Sequence, residues 1–111
     1  MFPKKYRLRK KWEVKRVLVK GKQVQDIWWR IFYFKNFYKI PRITIIVGKK
    51  YHKSAVKRNK LKRKVREFLH HSILSWEQGI DLVIMPSGKF LNISPLTAKA
   101  IFENIKNIIK N

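Results

Sequence analysis

Residues 49–67 read KKYHKSAVKRNKLKRKVRE, the most informative stretch of the chain. An apolar stripe begins inside it and continues just beyond it at helical spacing. The stripe comprises Leu61, Val65, Phe68, Leu69 and Ser72. This periodicity predicts a long helix over residues 54–76 that buries the stripe against a core.

The remaining surface of this predicted helix is cationic. Seven of the ten residues from 57 to 66 are Lys or Arg, and no acid follows until Glu67. A solvated charged face is the alternative interpretation, but such faces normally mix signs. The residues at four-residue spacing are Arg58, Lys62 and Arg66 beside the stripe, with Asn59 and Arg63 further outward. This spacing favours contact with a phosphate backbone, which Arg can grip with two hydrogen bonds.

Strands are predicted on both sides of this helix in the sequence. Residues 27–34 are dense in aromatic and β-branched side chains, and apolar residues alternate along residues 42–47. Residues 80–85 are almost entirely apolar, as expected of a buried central strand. A weaker strand is predicted over residues 22–25.

Two further helices are predicted towards the ends of the chain. Residues 10–20 form the first, with Gly21 as its stop. The second begins cleanly, because Ser94 is a good N-cap and Pro95 suits the first helical position. Their apolar faces comprise Val14, Val17 and Leu18 in the first and Ala98, Ile101, Phe102, Ile105, Ile108 and Ile109 in the second.

The predicted order is α-β-β-β-α-β-α over a single domain, residues 1–111. Helices mixed with strands in this order indicate an α+β fold, a sandwich of one sheet with helices packed on it. The strand–helix–strand unit around residues 54–76 would be right-handed under the general rule for parallel crossovers.

The net charge of the chain limits the classes of partner that it is expected to bind. The 111 residues include 28 Lys and Arg against 6 acids, giving a net charge of +22. Such a chain repels itself unless a polyanion binds it, so nucleic acid or an anionic membrane is the expected partner. A membrane-surface protein is disfavoured because the cations lie on helices with cores of their own. The chain has no Cys, and no apolar run follows the basic N-terminus, so a cytoplasmic protein is expected.

The sequence offers little chemistry of its own. Its acids, Glu13, Asp26, Glu67, Glu77, Asp81 and Glu103, are scattered, whereas a two-metal nuclease needs them clustered. Adjacent His70 and His71 point to different sides of a helix and do not readily share a metal. No metal site is therefore predicted, and a self-sufficient nuclease is disfavoured.

One face of the strand over residues 27–34 suits unpaired RNA. Trp28, Arg30, Phe32 and Phe34 alternate onto it, and an Arg among aromatics is unusual in a core. Aromatic rings can stack on bases without reading sequence. The alternative is that Trp28 and Phe32 are core residues, with Trp29, Ile31 and Tyr33 facing outward.

The stretch quoted first resembles the signature of the bacterial ribonuclease P protein. The matching residues are Lys49, Lys50, Ala55, Val56, Arg58, Asn59, Lys62, Arg63, Arg66 and Glu67, together with Arg7, Leu8, Arg9, Lys10, Lys20 and Gly21. Lys60 departs from the usual Arg of the family. Val14 and Leu18 stand where the family commonly has Phe.

This resemblance implies a fold and a division of labour. The family folds as an α-β sandwich of the kind seen in the second domain of ribosomal protein S5, with a left-handed β-α-β crossover through the basic helix. Catalysis belongs to a large RNA subunit that binds Mg²⁺, so no metal is expected on the protein alone and no catalytic residue is expected in it. The partners implied are the catalytic RNA and precursor tRNA, with no small-molecule substrate and no membrane.

The resemblance also assigns residues to surfaces. RNA-subunit binding is expected from Lys49, Lys50, Lys53, Lys57, Arg58, Asn59, Lys60, Lys62, Arg63 and Arg66, with additional basic contacts from Arg7, Arg9, Lys10 and Lys11. A cleft for the single-stranded 5′ leader is expected from Val14, Leu18, Trp28, Arg30 and Phe32. The competing hypothesis is another RNA-binding protein, of ribosomal or RNA-chaperone type, although such a protein has no reason to carry this signature.

Overall fold

A computed structural model describes residues 3–74 and 76–110 of the chain. Residues 1, 2, 75 and 111, which the predicted domain includes, lie outside the described residues, and so does part of the predicted end of the long helix. The elements are α1 (Lys11–Lys20), β1 (Lys22–Gln25), β2 (Trp29–Lys35), β3 (Arg42–Ile45), α2 (Ala55–Leu74), β4 (Ile80–Pro86) and α3 (Pro95–Lys110). The predicted order α-β-β-β-α-β-α is confirmed. Two short 3₁₀ turns, Lys4–Tyr6 and Gly88–Asn92, were not predicted.

The four strands form one sheet in the order β1-β2-β4-β3. β2 runs antiparallel to β1 and β4, whereas β3 runs parallel to β4. The helix α2 therefore crosses over between two parallel neighbours, as the sequence predicted. The left-handed sense of this crossover stays a prediction. Within the described residues, no helix is long and apolar enough to cross a bilayer.

The main hydrophobic core lies on the sheet face covered by α2 and α3. The predicted stripe of α2 packs here, and Leu61, Val65 and Leu69 are fully buried. β4 is buried along nearly its whole length, which explains its continuous apolar sequence. From β2, Trp29 and Ile31 enter this core, and the Trp29 ring stacks on Phe90 with centroids 5.1 Å apart.

The predicted start of α3 is confirmed. The backbone N–H of Thr97 donates to Ser94 Oγ at 3.1 Å, and Pro95 is the first helical residue. The buried residues of this helix are Ala98, Phe102, Ile105 and Ile109. The inclusion of Ile108 in the apolar face was wrong: its side chain is 41% exposed at the margin of the stripe.

The strand predicted over residues 27–34 begins later than expected. Asp26 Oδ1 accepts hydrogen bonds from the backbone N–H groups of Trp28 (2.7 Å) and Trp29 (3.1 Å), so the chain turns there and β2 starts at Trp29. Ile27 lies exposed in that turn. β3 likewise ends at Ile45 instead of residue 47.

The opposite sheet face carries α1 and a smaller hydrophobic cluster. Val17 of α1, Leu8 and Val83 of β4 are buried in it. Val14 and Leu18 pack against the same cluster. Because α1 covers only part of this face, the rest of the sheet surface stays open beside it.

Candidate nucleic-acid interface

A cleft lies between α1 and the open sheet face. The structure brings Val14, Leu18 and Phe32 into one cluster, so three of the five predicted cleft residues lie together. A hollow of about 470 Å³ runs along this flank of α1. It is lined by Leu8, Arg9, Lys11, Val14, Lys15, Leu18 and Thr44. An apolar floor with cations around it suits a base and its phosphate.

Phe32 is half-buried on this face, and Arg30 is exposed on it, two residues earlier along β2. Arg30 pairs with Met85 of β4 in the sheet register, at the outer margin of the cleft. Phe34 shares the face but lies under α1, where the Arg16 guanidinium sits 5.3 Å from its ring centroid.

The assignment of Trp28 to this face was wrong. Because the Asp26 turn delays the start of β2, Trp28 precedes the strand and packs against the main core on the other side of the sheet. The alternative that placed Trp29 and Ile31 outward was also wrong. Trp29 is 2% exposed and Ile31 is fully buried.

The cations of α2 and its preceding loop are presented to solvent because Leu61, Val65 and Leu69 face the core. The exposed residues among those predicted to bind RNA are Lys49, Lys50, Lys53, Lys57, Asn59, Lys60 and Arg63, and Arg9, Lys10 and Lys11 are exposed near the N-terminus. Ser54 caps the start of α2, because its Oγ accepts a hydrogen bond of 3.4 Å from the backbone N–H of Lys57.

Arg58 has a second role that spacing did not reveal. Its Nη1 donates to the backbone carbonyls of His52 (2.9 Å) and Lys53 (2.7 Å). These bonds tie the basic loop to the first turn of α2. Arg58 therefore holds the loop in addition to its predicted place in the cationic row.

A cationic groove joins two sequence-distant basic clusters. Lys62 and Arg66 of α2 line a hollow of about 270 Å³ together with Arg7 and Arg9 and the edge of β3. The N-terminal segment reaches this place because Leu8 N–H donates to Ile43 O at 2.9 Å and Arg7 bridges to Ile43. Sequence reasoning named both clusters but did not predict that they meet.

A buried ionic network fixes α1 to the sheet. Arg42 of β3 donates from Nε and Nη2 to the two carboxylate oxygens of Asp81, both at 2.8 Å, and from Nη2 to Glu13 Oε2 at 2.8 Å. Asn36 Nδ2 also donates to Asp81 Oδ1 at 2.8 Å. Burial alone would lower the pKa of Arg42, but the hydrogen bonds to Asp81 and Glu13 outweigh it and raise that pKa.

Sequence reasoning missed this network, although two signals were present. Asp81 is a lone acid in an apolar strand, and Glu13 is a lone acid in a basic helix. The network spans α1, β3, β4 and the turn that follows β2, so no local spacing reports it. Its consequence for the site is positional: Glu13 anchors α1, which forms one wall of the cleft.

These carboxylates do not fit a metal site. Among the described residues, no three His, Asp or Glu side chains are grouped so as to hold a metal ion, and Glu13 and Asp81 face Arg42 instead. His70 and His71 lie side by side with ring centroids 5.3 Å apart, and Glu67 lines a hollow with them, but these side chains form no metal-holding group in the described part of the chain. That Mg²⁺ is held by an RNA subunit stays a prediction.

A sheet with a core on one face, an aromatic cleft on the other and a cationic groove at its edge defines a nucleic-acid-binding α-β sandwich. Comparison with known proteins is more specific. The family model described as Ribonuclease P matches residues 2–111. The chain belongs to the ribonuclease P protein family, the protein components of an endoribonuclease that processes tRNA.

Individual relatives agree with this assignment. The ribonuclease P protein component of Thermotoga petrophila is 30% identical over 98% of this chain and 93% of its own. That of Petrotoga mobilis is 38% identical over 77% of this chain and 71% of its own.

Solved structures agree as well. The RNase P protein from Thermotoga maritima has a TM-score of 0.74 and 29% identity over 89% of this chain and 93% of its own. The RNase P protein of Staphylococcus aureus has a TM-score of 0.74 and 26% identity over 95% of each chain. The resemblance drawn from residues 49–67 and the α-β sandwich are thereby confirmed.

Proposed function

We propose that this protein binds the catalytic RNA subunit of ribonuclease P through the cationic groove and the exposed face of α2, and holds the single-stranded 5′ leader of precursor tRNA in the cleft. In this function it aids Mg²⁺-dependent endonucleolytic removal of the leader. The RNA subunit supplies the metal and the reacting groups, and the protein supplies charge and position.

The observation that carries this proposal is the meeting of Arg7 and Arg9 with Lys62 and Arg66 in one groove, beside the cleft that contains Phe32. Arg9 and Thr44 line both hollows. Cations that can track phosphates are thus continuous with an apolar cleft, and Phe32 belongs to the same hydrophobic cluster as Val14 and Leu18, which line that cleft. A substrate with a structured body and a single-stranded end needs both kinds of surface, cations for its phosphates and a cleft for its unpaired bases.

Reconstitution tests the division of labour. Protein alone is expected to leave precursor tRNA uncut at any Mg²⁺ concentration, because its described acids form no metal-binding group. The RNA subunit alone is expected to cut slowly at high Mg²⁺, and the protein to lower the Mg²⁺ required. Cleavage is followed on gels with RNA alone, protein alone and both.

Each competing function gives a different result in this assay. Specific 5′ cleavage by RNA-free protein would make it a self-sufficient nuclease. Binding without any change in the Mg²⁺ requirement would make it a general RNA-binding protein of the ribosomal or chaperone type. Either result would overturn the proposal.

The cleft has its own test in Phe32. Stacking on an aromatic ring contributes about 1–3 kcal/mol per base, so Phe32→Ala should weaken holoenzyme binding to precursor tRNA by about 1 kcal/mol or more. The lower end of this energy range is expected because Val14 and Leu18, which line the cleft, have no aromatic rings. Binding of mature tRNA, and of precursors with leaders of only about one or two nucleotides, should be nearly unchanged.

The matched variant Phe32→Leu separates stacking from packing. Leu retains contact with the cluster around Val17 and Val83 but lacks an aromatic face. The variant should keep its melting temperature and still lose affinity for long leaders. Equal losses for all leader lengths would instead make Phe32 a structural residue.

A further inference from the structure

A second aromatic and cationic pocket lies where β2 ends and β4 begins. Its volume is about 640 Å³. Its cations are Lys20, Lys22, Lys35 and Lys39, and its rings are Tyr33, Phe34 and Phe37. Among the described residues that line it, none is acidic. We refer to it as the Phe37 pocket.

The turn that carries Phe37 is built rigidly. The Asn36 side chain is 5% exposed, accepts from Tyr38 N–H at 2.8 Å and donates to Ile40 O at 3.2 Å and to Asp81 Oδ1 at 2.8 Å. Its backbone N–H donates to Gly79 O at 3.1 Å. Lys39 completes the turn with a φ of 61°, in the left-handed region that a non-glycine residue enters at a cost.

This rigid turn presents Phe37 to solvent instead of burying it. Phe37 is 96% exposed, whereas the neighbouring Tyr38 ring lies 4.4 Å from the Arg42 guanidinium. Because hydrogen bonds fix the backbone of this turn before binding, only the Phe37 side chain has to lose conformational freedom when a ligand stacks on it. Lysines around such a ring are complementary to the phosphates that flank an unpaired base.

The pocket is separate from the leader cleft. Lys20, the last residue of α1, lines the Phe37 pocket, whereas Val14 and Leu18 line the cleft. Between them α1 covers the sheet, with Arg16 over the Phe34 ring and 3.8 Å from Asp81. A leader lying in the cleft would therefore not fill this pocket. The remaining polyanions of the complex are the tRNA body and the RNA subunit, and the RNA subunit is the one that the protein is proposed to bind in the absence of tRNA.

We propose that the Phe37 pocket binds an unpaired nucleotide of the ribonuclease P RNA, with its base stacked on Phe37 and adjacent phosphates on the lysines. This inference rests on the proposed function, since it assumes that the RNA subunit is the partner. It adds a second contact, on the far side of α1 from the leader cleft.

The first experiment measures affinity of the protein for ribonuclease P RNA in the absence of tRNA. Phe37→Ala should weaken binding about tenfold through the loss of one stacked base. Leu96→Ala is the matched control, because Leu96 is an apolar residue 83% exposed on α3, outside the pocket. Melting curves of the free proteins should be unchanged, since Phe37 contributes almost no buried surface.

The second experiment measures the salt dependence of the same binding. Lys20→Gln/Lys35→Gln should reduce the slope of log affinity against log salt by about 1.4, roughly 0.7 for each single-strand phosphate that is no longer neutralised. Lys89→Gln/Lys99→Gln removes the same charge outside the pocket and should leave the slope unchanged.

The outcomes separate this inference from the function on which it rests. Wild-type affinity for the RNA subunit in Phe37→Ala, with binding still lost in Lys62→Gln/Arg66→Gln, would overturn the pocket and leave the proposed function standing. A defect of Phe37→Ala that appears only with precursor tRNA and grows with leader length would assign the pocket to the leader, against this inference. Wild-type affinity for the RNA subunit in both Phe37→Ala and Lys62→Gln/Arg66→Gln would overturn the pocket and the proposed function together.

Discussion

Raising the salt concentration from about 50 to about 200 mM is expected to weaken binding of this protein to ribonuclease P RNA roughly a thousandfold. The expectation follows if about six phosphates are neutralised, since each neutralised phosphate releases counterions and adds about 0.9 to the slope of log affinity against log salt. The groove around Lys62 and Arg66 and the exposed face of α2 provide more than enough cations for this number. Titrations at several salt concentrations, by fluorescence anisotropy or filter binding, give the slope.

The groove contributes a defined part of that slope. Lys62→Gln/Arg66→Gln should make it shallower by about 1.8, because two phosphate contacts are lost. Lys89→Gln/Lys99→Gln again serves as the control of equal net charge. A salt-independent affinity for the wild-type protein would contradict the electrostatic account of binding altogether.

Asp81→Asn is expected to lower the free energy of unfolding by about 3–5 kcal/mol, the usual cost of removing one member of a buried ion pair. The variant keeps the shape of the side chain but leaves the Arg42 guanidinium, whose side chain is 12% exposed, with Glu13 as its remaining acid in the network. Asn36 also loses a charged acceptor. Urea denaturation of the RNA-free protein measures the change.

Glu103→Gln is the matched control for this variant. It removes the same charge from a surface pair, in which Lys106 Nζ lies 3.6 Å from Glu103 Oε1. Exposed pairs of this kind contribute about 0–1 kcal/mol. If Asp81→Asn were no more destabilising than Glu103→Gln, the network would not be what anchors α1 to the sheet.

Much of the fold could be predicted because its signals are local. The stripe of Leu61, Val65 and Leu69, the continuous apolar run of β4 and the Ser94 cap each report their own element. The residue that was misplaced lies where side-chain hydrogen bonds end the local alternation pattern. Trp28 was assigned to the cleft because alternation was extended through the turn that Asp26 imposes.

The site was predicted as a set of residues but not as an arrangement. Cation spacing identified Arg58, Lys62 and Arg66 as one row, yet Arg58 bonds to the loop carbonyls. The groove between Arg7 and Arg66 depends on where the N-terminal segment pairs with β3, and the network between Glu13 and Asp81 crosses elements far apart in sequence. Such long-range contacts leave no periodic trace in a single sequence.

The order of strands in the sheet also constrains how the chain folds during synthesis. β4 is the last strand to be made, yet it lies between β2 and β3 and pairs with both. Until the ribosome has released residues 80–86, β3 lacks its parallel neighbour and β2 has only its hairpin with β1. Non-local pairing of this kind is slow and leaves strand edges open meanwhile. The sheet is therefore completed only after about three-quarters of the chain has been translated, and until then β2 is paired with β1 alone and its other edge is open.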